Sequence, residues 1–296
     1  MTIPADLVIG FPDSEHAARG LAEAMELPLA VAALHRFPDG ESLVRLEGAP
    51  RHPVLVRPLD RPNDKLVELQ LLAGALRERG AEAATLVAPY LAYMRQDMEF
   101  RPGEVVSQRI MGRWLSGLFD RIVTVDPHLH RTDDLAKVFP GRAAHALTAA
   151  PLIGAWARAQ GAGADWVVLG PDEESAPLIE AAAAAAGTRA LVGRKERRGD
   201  RDVTVTLPAD AGLDGATVLL VDDVVSSGGT MLDAAAAAWR AGAARILAAT
   251  THALFTPEAE AAFRAAGIER TVSCDGVPHP SNAIPLAGLL AAALAG

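Results

Sequence analysis

The sequence predicts an α/β protein of two tandem units, each a mainly parallel sheet flanked by helices. Three observations carry that reading. Apolar runs of strand length alternate with helix-period segments along the whole chain, as in successive βαβ units. At least four of those runs end in loops bearing acids or histidine: Tyr90–Asp97, Asp126–His128, Asp172–Glu174 and Asp222–Asp223. In open α/β sheets such loops gather at the carboxyl edge, where ligands bind. With 296 residues, half of them hydrophobic, the chain can hold one large or two medium domains with ample core.

The elements follow in order. Leu7–Gly10 is a short strand, and Ser14–Met25 has helical spacing through Ala17, Leu21, Ala24 and Met25. Ala30–Leu34 and Ser42–Leu46 read as strands on either side of the turn Arg36-Phe37-Pro38-Asp39-Gly40-Glu41. Pro53–Val56 is a strand. Asn63–Arg79 is an amphipathic helix, with Leu66, Leu69, Leu72, Ala73 and Leu76 on one side and Gly80 closing it. Strand Ala84–Ala88, helix Glu104–Leu118 and strand Arg121–Val125 complete the first half, and Pro140–Ala146 reads as the boundary.

In the second half, Ala149–Gln160 is a helix and Asp165–Leu169 a strand. Ala176–Ala186 is an Ala-rich helix stopped by Gly187, and Arg189–Val192 is a strand. The basic stretch Gly193–Asp200 and the alternating Val203–Leu207 predict a hairpin with a cationic arm. Strand Val218–Val221, helix Asp233–Ala241, strand Arg245–Thr250, helix Pro257–Ala266 and strand Arg270–Ser273 follow. The uncharged helix Ile284–Leu294 is expected to dock on a larger surface.

Composition narrows the function. A net charge of −9 argues against nucleic acid, whose phosphates need a basic surface. The single cysteine, Cys274, excludes an intrachain disulfide framework and a cysteine-based metal cluster. No apolar run reaches the length of a membrane span, and the N-terminus lacks a basic-then-apolar signal pattern, so a cytoplasmic protein is expected.

The chemistry centres on Val218–Met231, VLLVDDVVSSGGTM. A buried strand, a small-residue loop and a helix start make an anion cradle, in which backbone N–H groups and the helix dipole favour phosphate. The hydroxyls of Ser226, Ser227 and Thr230 add donors around Gly228 and Gly229. Asp222 and Asp223 would repel a phosphate, so they suit sugar hydroxyls or a divalent metal. Together these groups point to a phosphorylated sugar, against the plain alternative of an ordinary βα turn with capping side chains. Arg95 can grip a phosphate and Gln96 can read a base edge, or the pair can belong to an ordinary surface loop. His128, beside Asp126, fits a metal ligand, an acid–base group or an ordinary loop residue. The basic arm is either a solvated hairpin or a flap that closes over phosphates.

Taken together, the motifs resemble those of the ribose-phosphate pyrophosphokinases, over essentially the whole chain. VDDVVSSGGTM resembles the phosphoribosyl-pyrophosphate loop of the type I phosphoribosyltransferase fold. RFPDGE (Arg36–Glu41), YMRQD (Tyr93–Asp97), VDPH (Val125–His128), GPD (Gly170–Asp172), KER (Lys195–Arg197) and HPSNAIPLAGLL (His279–Leu290) occur in the family's order. Glu173-Glu174-Ser175 stands where the family usually has small residues, Pro127 where it has Leu, and Met98 where common bacterial members have Arg.

The resemblance implies two phosphoribosyltransferase-like domains: residues 1–143 for ATP, 144–280 for ribose 5-phosphate with a hairpin flap, and a C-terminal helix, 281–296, packed back on the first. It implies transfer of the β,γ-pyrophosphoryl group of ATP to the 1-hydroxyl of ribose 5-phosphate, with AMP leaving. Phe37, Asp39, Glu41, Arg95, Gln96 and Asp97 would contact ATP, the Phe37 loop serving a neighbouring subunit. His128 and Asp172 would hold Mg²⁺. Lys195 and Arg197 would be the catalytic flap pair. Asp222, Asp223, Ser226, Ser227, Gly228, Gly229 and Thr230 would bind ribose 5-phosphate. A homo-oligomer, dimer or hexamer, is implied. The alternatives are a phosphoribosyltransferase, which would not need the N-terminal motifs, and a non-catalytic regulatory homologue.

Overall fold

The computed structural model describes residues 4–129, 131–132, 134–197 and 203–295, with backbone alone for Glu196, Arg197 and Val203. The chain forms two compact units: residues 1–147 with 276–278 and 286–296, and residues 148–275 with 279–285.

The first unit has strands β1 (Leu7–Gly10), β2 (Leu29–Val31), β3 (Ala33–Arg36), β4 (Ser42–Arg45), β5 (Pro53–Val56), β6 (Thr85–Val87), β7 (Arg121–Val125) and β8 (Ala143–Leu147). Six of them form a wholly parallel sheet in the order β2-β1-β5-β6-β7-β8. β5, β6 and β7 are buried along their whole length, as strands of a parallel sheet covered on both faces must be. Helices α1 (Glu15–Met25), α2 (Pro62–Glu78) and α3 (Ser107–Leu118) supply the covering faces. The core gathers Ile9, Phe11, Leu55, Leu69, Leu76, Leu86, Phe119 and Phe139.

β3 and β4 form a separate antiparallel hairpin. The expected strand Ala30–Leu34 is therefore two strands, parted at Ala32, where the chain leaves the main sheet. α3 begins at Ser107 rather than Glu104, because the Glu104 carboxylate is spent accepting N–H bonds from Phe100 and Arg101 in the preceding loop. β8, read from sequence as a boundary, completes the first sheet, so the unit runs to Leu147.

The second unit has β9 (Trp166–Gly170), β10 (Arg189–Val192), β11 (Arg194–Arg197), β12 (Val203–Thr206), β13 (Thr217–Val225), β14 (Arg245–Ala253), β15 (Ile268–Cys274) and β16 (Asn282–Ile284). Its parallel sheet has the order β10-β9-β13-β14-β15-β16, and β11 pairs with β12 as an antiparallel hairpin. Helices α4 (Ala150–Ala159), α5 (Ala176–Ala186), α6 (Gly229–Arg240) and α7 (Pro257–Ala265) flank it. The Ala-rich α5 buries Ala182, Ala183 and Ala186 against α4, small side chains permitting close approach. β16 was not anticipated. It occupies the start of the expected last helix, which begins instead at Ala287 as α8 (Ala287–Ala295).

α8 lies in the first unit, against α1 and β8. The Arg121 guanidinium donates to the carbonyls of Leu294 and Ala293, a cation on the unsatisfied end of that helix.

Strand order reverses between β1 and β5 in the first sheet and between β9 and β13 in the second. Such switch points open a crevice at the strands' carboxyl ends. In the first unit the residues after β1 and β5 fill it. Arg57 is buried over the Phe11 ring at 4.1 Å, 2.6 Å from Glu68 and 3.4 Å from Asp13, and Lys65 joins Asp13 and Asp60. In the second unit Asp172 follows β9, and Asp222 lies near the carboxyl end of β13.

Candidate active site

β13 runs on through the acid pair to Val225, its last residues held by pairing with β14 at His252 and Ala253. The chain then turns through Ser226-Ser227-Gly228 into α6. Gly228 is the residue before the helix and sits at φ 82°. A Cβ there would meet the Phe263 ring at 2.5 Å, so both backbone conformation and space demand glycine. Ser226, Ser227 and Gly229 are exposed, with Thr230 half-buried on the first turn. Ser226, Ser227 and Gly229 are thus accessible beside a helix N-terminus, a setting that favours phosphate.

Asp222 accepts from the N–H of Asp223 at 3.0 Å, and Asp223 from that of Val224 at 2.7 Å. Burial, the like charge of Asp223 and that of Asp172 push the Asp222 carboxyl well above the ordinary carboxylate range, and Lys195 pulls it partly back. Asp172 follows β9, accepts from the N–H of Ser175 and forms an ion pair with Lys195 of β11. The structure thus brings Asp172, Lys195, Asp222 and Asp223 together. The side chain of Arg197 lies outside the described residues.

Glu173 and Glu174 are exposed on the turn between Asp172 and α5. Glu173 lies 3.5 Å from Arg194 on the hairpin. Among the described residues no three His, Cys, Asp or Glu side chains converge as a cage for a metal ion.

In the first unit, the turn from Phe37 to Glu41 is closed by two backbone hydrogen bonds, Phe37 N–H to Glu41 O at 2.8 Å and Gly40 N–H to Phe37 O at 2.9 Å. Asp39 and Glu41 are exposed, and the Phe37 ring, 40% exposed, meets His35 edge-on at 4.8 Å. Arg36 to Asp64 at 2.6 Å and Ser42 to Glu68 at 3.0 Å fasten the hairpin to α2.

Beyond β6, Tyr93 adopts φ 64° and its hydroxyl donates to Asn63. A non-glycine residue in this region is strained, and such residues cluster at ligand sites. Arg95 is exposed, while its two neighbours are engaged within the unit. Gln96 donates to Met98 O and Glu104 at 3.1 Å each, and Asp97, its side chain 4% exposed, pairs with Arg131 at 3.1 Å. Half-buried His128 follows β7, two residues after Asp126, which is also strained at φ 38°. Arg131, which also lies over the Phe100 ring, and the strain at Tyr93 and Asp126 were missed from sequence; an Arg a few residues past a His-bearing loop was the only available hint.

Residues 7–118 match the N-terminal domain of ribose phosphate pyrophosphokinase, and residues 153–275 the phosphoribosyl transferase domain. A ribose-phosphate pyrophosphokinase of Methanopyrus kandleri is 36% identical over 97% of this chain and 98% of its own. One from Thermococcus kodakarensis is 35% identical over 86% of this chain and 88% of its own. The crystal structure of phosphoribosylpyrophosphate synthetase from Mycobacterium smegmatis superimposes with a TM-score of 0.83 at 25% identity, covering 98% of each chain.

Proposed function

Because the chain belongs to the ribose-phosphate pyrophosphokinase family, we propose that its second unit holds ribose 5-phosphate and its first unit binds ATP. The reaction moves the β,γ-pyrophosphoryl group of ATP to the sugar. The 1-hydroxyl oxygen bonds to the β-phosphorus, the bond from that phosphorus to the α,β-bridging oxygen breaks, and AMP leaves. The hydroxyl proton passes to solvent water. The observation that carries the reading is the carboxyl end of β13, where Asp222 and Asp223 adjoin an N–H-rich loop and face Lys195.

Each group has a physical task. Ser226, Ser227, Gly228, Gly229 and Thr230 bind the 5-phosphate through N–H and O–H donors and the α6 dipole. Asp222 and Asp223 accept from the ribose hydroxyls, fixing the 1-hydroxyl for attack. Lys195, with Arg197, stabilises charge that builds on the transferring group. Lys195 pairs with Asp172, so engagement of Asp172 by a cation would free Lys195 for the transition state. In the first unit, Arg95, Gln96 and Asp97 contact or brace the nucleotide. Phe37, Asp39 and Glu41 form an exposed platform for adenine, completing the site of a second copy in a homo-oligomer. We take the enzyme to be cytoplasmic because both substrates are charged phosphate esters of the cell interior. No helix among the described residues is long and apolar enough to cross a membrane.

The carboxylates suit Mg²⁺, a hard cation that takes one or two protein oxygens and completes its shell with phosphates and water. Asp222 is raised first by burial and then by the like charges of Asp223 and Asp172, and a divalent cation beside the cluster would relieve the like-charge part. Asp172, in the second unit, would hold the ion, which when bound supplies neutralisation of the triphosphate; His128 is a ligand candidate within the first unit. The test is incubation with ATP, Mg²⁺ and ribose 5-phosphate. AMP and a pyrophosphorylated sugar should form in equal amounts; AMP release independent of the sugar overturns the reading.

A further inference from the structure

The late His279-Pro280-Ser281-Asn282 segment has no part in the chemistry above, yet its side chains are closely hydrogen-bonded. The Asn282 side chain donates to Ser273 Oγ at 2.9 Å and Cys274 O at 2.8 Å, and accepts from the His279 N–H at 2.9 Å. Ser281 Oγ lies 2.8 Å from Ser273 Oγ. The Ser281 N–H donates to His279 Nδ1 at 3.2 Å, which makes Nδ1 an acceptor. The ring proton of the neutral imidazole then sits on Nε2, which donates to the carbonyl of Phe255 at 3.0 Å.

His279 therefore grips the segment just past β14 in two ways, by that hydrogen bond and by edge contact with the Phe255 ring, 4.3 Å between centroids. The gripped segment touches the 226–230 loop by two routes. The Leu254 N–H donates to Val225 O at 2.8 Å, the residue that opens the loop. Phe255 packs on Phe263 at 5.3 Å, and Phe263 is the ring that lies where a Gly228 Cβ would be. Phe255 and Phe263 are both buried, so displacement of one moves the other.

We propose that His279 is a positioning residue for the 226–230 loop, acting through Phe255 and Phe263, and hence for affinity toward ribose 5-phosphate and not toward ATP. This rests on the assignment of that loop to the sugar phosphate, so the test separates the two claims. Ribose 5-phosphate binding to the full-length protein is measured by calorimetry, alongside KM for each substrate and the thermal midpoint. Thr230→Ala tests the assignment: unchanged ribose 5-phosphate affinity in that variant overturns it, and the proposal with it. His279→Ala should weaken ribose 5-phosphate roughly five- to tenfold, the effect of one or two lost neutral hydrogen bonds, with KM for ATP unchanged. His279→Gln keeps an N–H donor for the Phe255 carbonyl and should restore most of the affinity. If His279→Ala does not fold, the comparison passes to Ser281→Ala, which removes the hydroxyl oxygen that lies 2.7 Å from Nδ1 and should show the same selective weakening. Equal changes in both KM values, or a lowered midpoint with ribose 5-phosphate affinity intact, would mean that His279 only holds the fold.

Discussion

Replacing Gly228 by Ala perturbs the loop at the point where its geometry is most constrained. Gly228 has φ 82°, and the added Cβ would lie 2.5 Å from two carbons of the Phe263 ring. That ring is 1% exposed and backed by Phe255, so it cannot swing aside. The left-handed backbone costs a non-glycine residue about 1–2 kcal/mol and overpacking a buried site about 1–3 kcal/mol, together roughly 2–5 kcal/mol. For a domain of this size that lowers the thermal midpoint by on the order of 10 °C. The assay is thermal unfolding of the ligand-free protein with KM for ribose 5-phosphate measured in parallel. Phe263→Leu opens space at the ring edge, so the double variant should lose less than the sum of the two single losses. Full additivity, or a Gly228→Ala midpoint within 1–2 °C of wild type, an effect of about 0.5 kcal/mol or less, would refute the claim that Phe263 dictates the loop.

Other consequences follow from the same structure. Lys195→Ala should reduce turnover by about 10²–10³, the scale of losing one transition-state charge partner, while the thermal midpoint stays close to wild type; near-normal turnover would remove Lys195 from its assigned role. The Asp222 carboxyl is raised in the folded chain, so its contribution to stability is present below the unfolded-state value and lost as pH rises through the folded one. Asp222→Asn should accordingly raise the midpoint of the ligand-free protein at pH 8, gain little at pH 3.5, and weaken ribose 5-phosphate; a lower midpoint at pH 8 contradicts this. Glu68→Ala leaves Arg57 buried without its nearest partner and should cost about 3–5 kcal/mol of first-unit stability in denaturant titration. Chelation of divalent metal should abolish turnover and leave the ligand-free midpoint unchanged, with Mg²⁺ restoring activity.

How far the sequence reached depends on whether a feature is local. Alternating runs located most strands of both sheets, because parallel strands buried on both faces must be continuously apolar. Asp222–Thr230 was legible because a strand, acids, glycines and hydroxyls stand together within a few residues. Features made by distant residues were not legible. β8 and β16 have little apolar pattern and form only because a sheet edge receives them. The end of β13 was missed because its acids resemble a loop, while pairing with β14 keeps them in the sheet. The link from His279 to Gly228 joins residues about fifty positions apart through two aromatic rings, and Arg131 reaches Asp97 across 34 positions.

The central claim is that the acceptor held at Asp222–Thr230 attacks the β-phosphorus of ATP. ATP labelled at the β-phosphate tests it most directly. With Mg²⁺ and ribose 5-phosphate, the account predicts that all the transferred label appears on the sugar, matched by an equal amount of unlabelled AMP. Label recovered in ADP or in free pyrophosphate, with none on the sugar, would contradict it.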